Sequence, residues 1–305
     1  MNGILLIDGV DVYSAFGVSL LEGSYAGLVC WPPLVQPAIN DWPDEDGIEV
    51  DLESPCFDSK TFTLNFSCND TLGRHKFFDM LSATSYHDFT FGQLGIGKKL
   101  RMVVQPNFEE FQGMSLFSLV FVDDFPLDGI GNPLPTPSGV SYQGLEFDGV
   151  DISQFGVRML EGCLKEIEKI PSVKESFLTN THKKCVFNYS EEYVFFNSKE
   201  VTLNFLLTSP TIHTFWTNYH SFLCHLTRSG ERILYVDRSV SEHKCYYLCG
   251  SVLDFAIDDR VWCEFSVTLV FTSFRTKDYD ILLTTESGDL IITEDGFFGI
   301  DLEGI

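Results

Sequence analysis

Asp58-Ser59-Lys60-Thr61-Phe62-Thr63-Leu64-Asn65-Phe66 returns 139 residues later as Asn197-Ser198-Lys199-Glu200-Val201-Thr202-Leu203-Asn204-Phe205. Phe62, Leu64 and Phe66 alternate with Thr61, Thr63 and Asn65, and Val201, Leu203 and Phe205 repeat the apolar face. Period-two alternation of β-branched and aromatic residues marks a half-buried strand. The leading Ser-Lys and the outward Thr and Asn are identical in both copies, although core packing alone would not fix them. The stretch predicts a duplicated domain.

The repeat extends in both directions. Asp8-Gly9-Val10-Asp11 matches Asp148-Gly149-Val150-Asp151 at a shift of 140. After a one-residue deletion near Tyr13, Phe16-Gly17-Val18 matches Phe155-Gly156-Val157, and Leu21-Glu22-Gly23 matches Leu160-Glu161-Gly162, at 139. Downstream, Phe117, Leu119 and Phe121 read against Val267, Leu269 and Phe271 at 150. That places roughly ten extra residues between the second copy's helix and its last strand, an insertion a surface loop tolerates. Chance does not set four matches in one order at nearly one offset. A period near 140 suits a whole domain rather than a solenoid unit.

A chain of 305 residues accommodates two domains, each able to bury its own core. Hydrophobic content of 44% with 28 Phe points to aromatic-rich sheets. A net charge of −24 argues against a grip on phosphate backbones, which needs clustered Lys and Arg. Nine Cys are scattered without a CxxC pair, and Cys245 and Cys249 lack the second pair a zinc site needs. They read as free thiols of a reducing cytoplasm. No basic segment leads into an apolar run and no stretch reaches ~18 apolar residues, so neither a signal peptide nor a membrane span is expected.

In chain order, residues 4–29 read as short strands: Ile4 to Ile7, a turn at Asp8-Gly9, then Phe16 to Leu21. Trp31-Pro32-Pro33-Leu34 reads as an extended edge or loop. Residues 41–53 hold seven carboxylates. Asp44, Asp46, Gly47 and Glu53 fit positions 3, 5, 6 and 12 of a calcium loop, but Trp42 stands at position 1, Pro43 follows it and helical flanks are missing. A solvated loop is the stronger reading. Ile48, Val50 and Leu52, alternating with Glu49, Asp51 and Glu53, predict a strand with one wet, negative face. Asn69-Asp70-Thr71 caps a helix to about residue 82 with Phe77, Phe78 and Leu81 as its stripe. Its counterpart takes Ser209 as N-cap and Pro210 in the first turn, with Ile212, Phe215, Trp216, Tyr219, Phe222, Leu223 and Leu226 following. Residues 126–143, with four Pro and three Gly, form a linker. The expected organisation is a first domain over 1–125, the linker, a second domain over 144–276 and a tail of short β-hairpins over 277–305. Such a tail pairs with another chain or hangs as an appendix.

Candidate chemistry is sparse. His213, His220, Cys224 and His225 fall on the second helix, and His220 and Cys224 can share a face as a metal requires. No second cluster lies nearby, so a core or interfacial role is the expectation. Neither a Gly-Xaa-Ser-Xaa-Gly elbow, a phosphate-binding Gly loop nor His-Glu-Xaa-Xaa-His occurs. No catalytic, cofactor-binding or metal residue is nominated, and enzymatic activity is not expected.

A short strand and turn, a Phe-Gly-Val strand running to Glu-Gly, a long acidic loop, then DSK-TFTLNF and a helix resemble phage distal tail proteins and the wider tail-tube superfamily. The resemblance covers residues 1–125 and, more loosely through Phe-Gly-Val and NSKEVTLNF, residues 144–276. It implies a mainly β, α+β fold: two similar β-sandwich or barrel domains, each with one helix. In that family sheets join edge to edge into a ring around the tail channel, and no catalytic site is carried. The departure is the doubling, which resembles tail hub proteins where three chains make a pseudo-sixfold ring, so trimeric and hexameric rings both remain open. The implied partners are tail tube, tape-measure and tip proteins, with DNA passing through but not specifically bound. The implied location is the virion, after assembly in the host cytoplasm. The competing reading is a carbohydrate-binding β-sandwich module using aromatics such as Trp31 and Trp42.

Overall fold

The computed structural model describes residues 5–273 apart from 22, 24, 44, 112–113, 175–178, 182–185 and 189–194. It is a mainly β, α+β fold with a seven-stranded antiparallel sheet and a packed helix in each half. The first half runs β1 (Leu5–Ile7), β2 (Val10–Asp11), α1 (Val12–Phe16), β3 (Val18–Leu20), α2 (Tyr25–Val29), β4 (Ile39–Asn40), β5 (Glu49–Val50), β6 (Lys60–Cys68), α3 (Thr71–Ala83), β7 (His87–Phe91), β8 (Ile96–Phe111) and β9 (Met114–Asp123). The second runs β10 (Leu145–Phe147), β11 (Val150–Asp151), a 3-10 turn (Ile152–Phe155), β12 (Val157–Met159), α4 (Cys163–Glu168), β13 (Thr179–Thr181), β14 (Val186–Asn188), β15 (Lys199–Ser209), α5 (Ile212–Leu226), β16 (Arg232–Val236), β17 (Ser241–Ile257) and β18 (Val261–Phe271).

The sheet orders are β2-β1-β7-β8-β9-β6-β3 and β11-β10-β16-β17-β18-β15-β12, the same arrangement strand for strand. Connectivity forces each sheet to curl. β2 and β3 are opposite edges, yet only α1 and Gly17 separate them. In a flat seven-stranded sheet the edges would lie about 29 Å apart, whereas five helical residues advance only about 7.5 Å. The 3-10 turn imposes the same closure between β11 and β12.

The repeated motifs occupy matching places. Asp8-Gly9 and Asp148-Gly149 are two-residue hairpin turns with every φ positive, between 51° and 79°. Asp8 accepts from Asp88 N at 2.9 Å and pairs with His87 Nδ1 at 2.6 Å. Asp148 accepts from Ile233 N at 2.9 Å and pairs with Arg232 Nη1 at 2.6 Å. Asp11 and Asp151 cap the following turns, and Gly17 and Gly156 end them in left-handed geometry. Four phenylalanines form the centre of each core. Phe66 lies 5.6 Å from Phe77 and 5.5 Å from Phe117, with Phe16 at 6.1 Å from Phe77. Phe205 lies 5.5 Å from Phe222 and 5.7 Å from Phe265, with Phe155 at 5.6 Å from Phe222.

Several expectations are corrected. The last strands register at 148 rather than 150, since Leu64 pairs with Leu119 and Leu203 with Val267. A two-residue slip preserves the buried face, so alternation alone does not detect it. Ser209 does not cap α5, because it closes the β15 ladder opposite Val261; Thr211 is the cap, accepting from Thr214 N at 3.2 Å. Residues 4–29 are not all strand: α1 and α2 interrupt them. The alternation at 48–52 yields only the two-residue β5, paired with β4. The linker over 126–143 is fastened to the second half, where Asn218, 1% exposed, holds both the N–H and the carbonyl of Thr136. The buried apolar residues of the two halves join into one cluster. The hairpins expected over 277–305 lie outside the described residues.

Candidate functional site

The functional surface is best built from the seam where the halves meet. β16 pairs only with Ser241–Cys245 of β17, which leaves that edge of β17 from Tyr246 onward without a neighbouring strand among the described residues. A bare strand edge needs covering or pairing. The first half supplies the cover, residues 28–35. Leu34 N donates to Leu248 O at 2.8 Å, Tyr247 Oη to Pro32 O at 2.9 Å and Cys30 Sγ to Gly250 O at 3.1 Å. Pro32 and Pro33 keep this segment extended. Trp31 and Leu34 are 4% and 8% exposed; Trp31 packs on His220, and Leu34 lines one small gap with Leu52, Tyr246 and Tyr247.

The segment is held by a lysine from the repeated strand. Lys60 donates to the carbonyls of Leu28 and Cys30, at the exit of α2, and Lys199 donates to those of Ile167 and Lys169, at the exit of α4. This is why Lys is retained in both copies of the strand: its ammonium complements the helix C-terminus and its free carbonyls. Burial lowers the pKa of both lysines to about 8.

A second clamp comes from the acidic loop. Lys174, nearly buried, reaches Asp41 Oδ1 at 2.6 Å, Trp42 O at 2.7 Å and Gly47 O at 2.6 Å. Asp46 Oδ1 accepts from Phe196 N at 2.7 Å, and Gly47 N donates to Phe196 O at 2.8 Å. Ile48 N bonds Thr272 O at 2.8 Å, and Gly230 N bonds Leu52 O at 2.9 Å. Gly47 sits at φ 71°, and a Cβ there would fall 1.6 Å from Thr272 O, so no other residue fits. The loop keeps the exposed carboxylates expected of it, Asp41, Glu45, Glu49, Asp51 and Glu53, but is anchored at Gly47, where an ammonium takes a carboxylate and two carbonyls that a cation site would have offered. Asp44 lies outside the described residues, and Glu53 is exposed.

A cavity of about 250 Å³ opens beside the seam, lined by Cys30, Lys60, Lys98, Trp216 and His220 among others. The side chains of Cys30, Lys60, Lys98 and Trp216 are engaged in hydrogen bonds within the fold. Burial raises the Cys30 thiol pKa, and the thiol donates to Gly250 O. Lys98 pairs with Asp123 at 2.9 Å and bonds Pro126 O. Burial first, then Lys98 and Lys60, lower the pKa of His220 to about 4. His220 packs against Trp31 and Trp216, while Cys224 turns to Gly131 O at 3.6 Å, so the two do not converge. His225 bonds Phe147 O. Among the described residues no three His, Cys, Asp or Glu side chains are grouped to hold a metal, and the described cysteines are unpaired. No helix among them is long and apolar enough to cross a membrane.

Trp31 is buried in the seam, so of the two aromatics considered for sugar only Trp42, 48% exposed and bonded to Glu49 through Nε1, meets solvent. Sequence reasoning missed Lys174 and Asp41. Their partnership spans 133 residues, and no local pattern marks it.

A scan against protein-family models finds no match. A search of curated proteins also finds none. Among solved structures, the chain is similar to one described as the crystal structure of SPP1 Dit (gp 19.1) protein, a paradigm of hub adsorption apparatus in Gram-positive infecting phages. That similarity covers 90% of this chain and 99% of that chain, at 9% identity and a TM-score of 0.31.

Proposed function

We propose that the chain is a non-enzymatic structural component of a phage or prophage tail, a distal tail or hub ring protein joining tube to tip. It comprises two tube-like domains, 1–125 and 144–276, that arose by duplication. The observation that carries this reading is the pair of sheets of identical strand order, built on a twice-occurring motif set that resembles distal tail proteins. The seam supports it: Lys60, repeated as Lys199, holds the segment that joins one sheet-plus-helix unit to the next, and Cys30 and Trp216 beside the cavity donate across the seam. Three or six chains would enclose a channel whose wall, from a chain of net charge −24, repels DNA rather than gripping it. The neighbours are tube, tape-measure and tip proteins, and the location is the virion. The carbohydrate-binding reading is weakened by the burial of Trp31.

Negative-stain electron microscopy of the concentrated protein tests this. Closed rings with a central opening are expected, with no retardation of duplex DNA at physiological salt. A monomer at every concentration that binds glycans on an array would overturn it.

A further inference from the structure

The seam inside the chain exists in one closed copy and one open copy. We propose that the open copy is completed by a second molecule of the same chain, docked head to tail through Ile170 and Val173 of one and the β8 edge at Val103 of the next. This deepens the assembly reading above by naming its surfaces, yet it rests on the seam's own geometry.

The covering segment is preformed in both halves. Val35 N bonds Cys56 O at 2.8 Å and Asp58 N bonds Pro33 O at 3.0 Å, flanking the bridge between Leu34 and Phe57. At 139 residues' remove, Lys174 N bonds Phe195 O at 2.7 Å and Asn197 N bonds Ser172 O at 2.9 Å, flanking the bridge between Val173 and Phe196. Lys60 and Lys199 hold the two segments alike. In the first half this pairing turns Leu34 N–H outward to Leu248 O. Val173 N–H is turned outward in the same way, and among the described residues it meets no acceptor. Side-chain exposure tells the same story. Trp31 and Leu34 are 4% and 8% exposed, whereas Ile170 and Val173, at the same places 139 residues on, are 72% and 43% exposed.

The receiving edge is doubled too. β7 pairs only with Ile96–Leu100 of β8, as β16 pairs only with the start of β17. Irregularities in pairing fall between Met102 and Val104 in β8 and between Tyr247 and Cys249 in β17, an offset of 145 that puts Val103 in the place of Leu248. Val103 is 49% exposed. Among the described residues, each chain thus carries one uncovered segment on its second half and one uncovered edge on its first. The contact joins two different surfaces, so it propagates head to tail and closes into a ring where the rotation allows. The chain's own β17 supplies the template for what the open segment fits, which makes another copy of the chain its occupant.

Ile170→Lys and Val103→Lys test this by sedimentation velocity at rising concentration. Both sites are exposed, so circular dichroism and thermal midpoints should match wild type. Both changes also reduce the chain's net negative charge, so lost association cannot come from a larger overall charge of like sign. Wild type is expected to form oligomers, and each variant alone should associate at least tenfold more weakly. An equimolar mixture should stop at a heterodimer, since one partner keeps the edge and the other keeps the segment. If the variants assemble like wild type, or the mixture stays monomeric while wild type assembles, the named surfaces are wrong and the assembly reading survives. If wild type stays monomeric throughout, both fall.

Discussion

At the scale of single residues, the buried lysine of the repeated strand is the position with the clearest physical consequence. Lys60 is 8% exposed, and its partners are two backbone carbonyls rather than a carboxylate. Burial favours its neutral form and lowers the pKa from 10.5 to about 8. Between these values the unfolded chain binds a proton that the folded chain has released, so the contribution of Lys60 to stability rises with pH across that window. Lys60→Met removes the titration and leaves two carbonyls facing a thioether, a loss of about 2 kcal/mol near neutral pH. Buried tyrosines and cysteines with raised pKa, such as Tyr247 and Cys245, pull stability the other way as pH rises, so only the difference between variant and wild type isolates the lysine. Urea midpoints at pH 7.5 and pH 10 should therefore diverge further at the higher pH. An equal gap at both would show that Lys60 does not titrate as described. The same reasoning explains the Lys of the repeated Ser-Lys, where a core argument asks for nothing.

At the scale of elements, α3 rests so closely on the end of α1 that Gly73 has no room for a side chain. A Cβ there would lie 2.1 Å from Phe16 O. Helix propensity alone favours Gly73→Ala by about 1 kcal/mol, but overpacking against a fixed carbonyl costs about 2–3 kcal/mol. The substitution should lower the thermal midpoint, and a raised midpoint would mean α1 and α3 sit further apart. In the second half the place one turn before Phe222, as Gly73 stands before Phe77, is taken by Asn218, which carries the linker instead. This local reading also marks how far the sequence reached. Alternation in residues 61–66 and 201–205 is enough to predict two sheet-plus-helix halves, and the cap of α3, Asp70, falls within the expected Asn69-Asp70-Thr71. Five-residue helices such as α1 and α2 span less than two turns of 3.6 residues, too few for a period to repeat, so alternation and periodicity do not mark them. The slip from 150 to 148 was invisible for the opposite reason, because two residues is a full period of a strand. The seam was illegible because its contacts join residues more than a hundred positions apart.

At the scale of the whole molecule, the question is whether the halves behave as one body. Each half has a sheet, a helix and a four-phenylalanine centre, and a unit of that size can fold alone. Yet the buried residues of both halves, Trp31, Leu34, Leu52 and Tyr247 among them, form one cluster, and the acidic loop of the first half is fastened to the second by Lys174. Coupling at this seam decides cooperativity. Lys174 is nearly buried while Asp41 is largely solvated, so the lysine loses more than the aspartate when the contact breaks. Lys174→Met leaves the Gly47 and Trp42 carbonyls without their donor and should cost about 2 kcal/mol, all of it at the seam. Wild type should therefore show one denaturation step, with peptides from both halves becoming open to hydrogen exchange together. In the variant the halves should separate into two steps, and the loop around Gly47 and the segment around Phe196 should exchange first. A variant that unfolds in one step at an unchanged midpoint would show that the apolar contact of Trp31 and Leu34 with β17 couples the halves without help from the acidic loop.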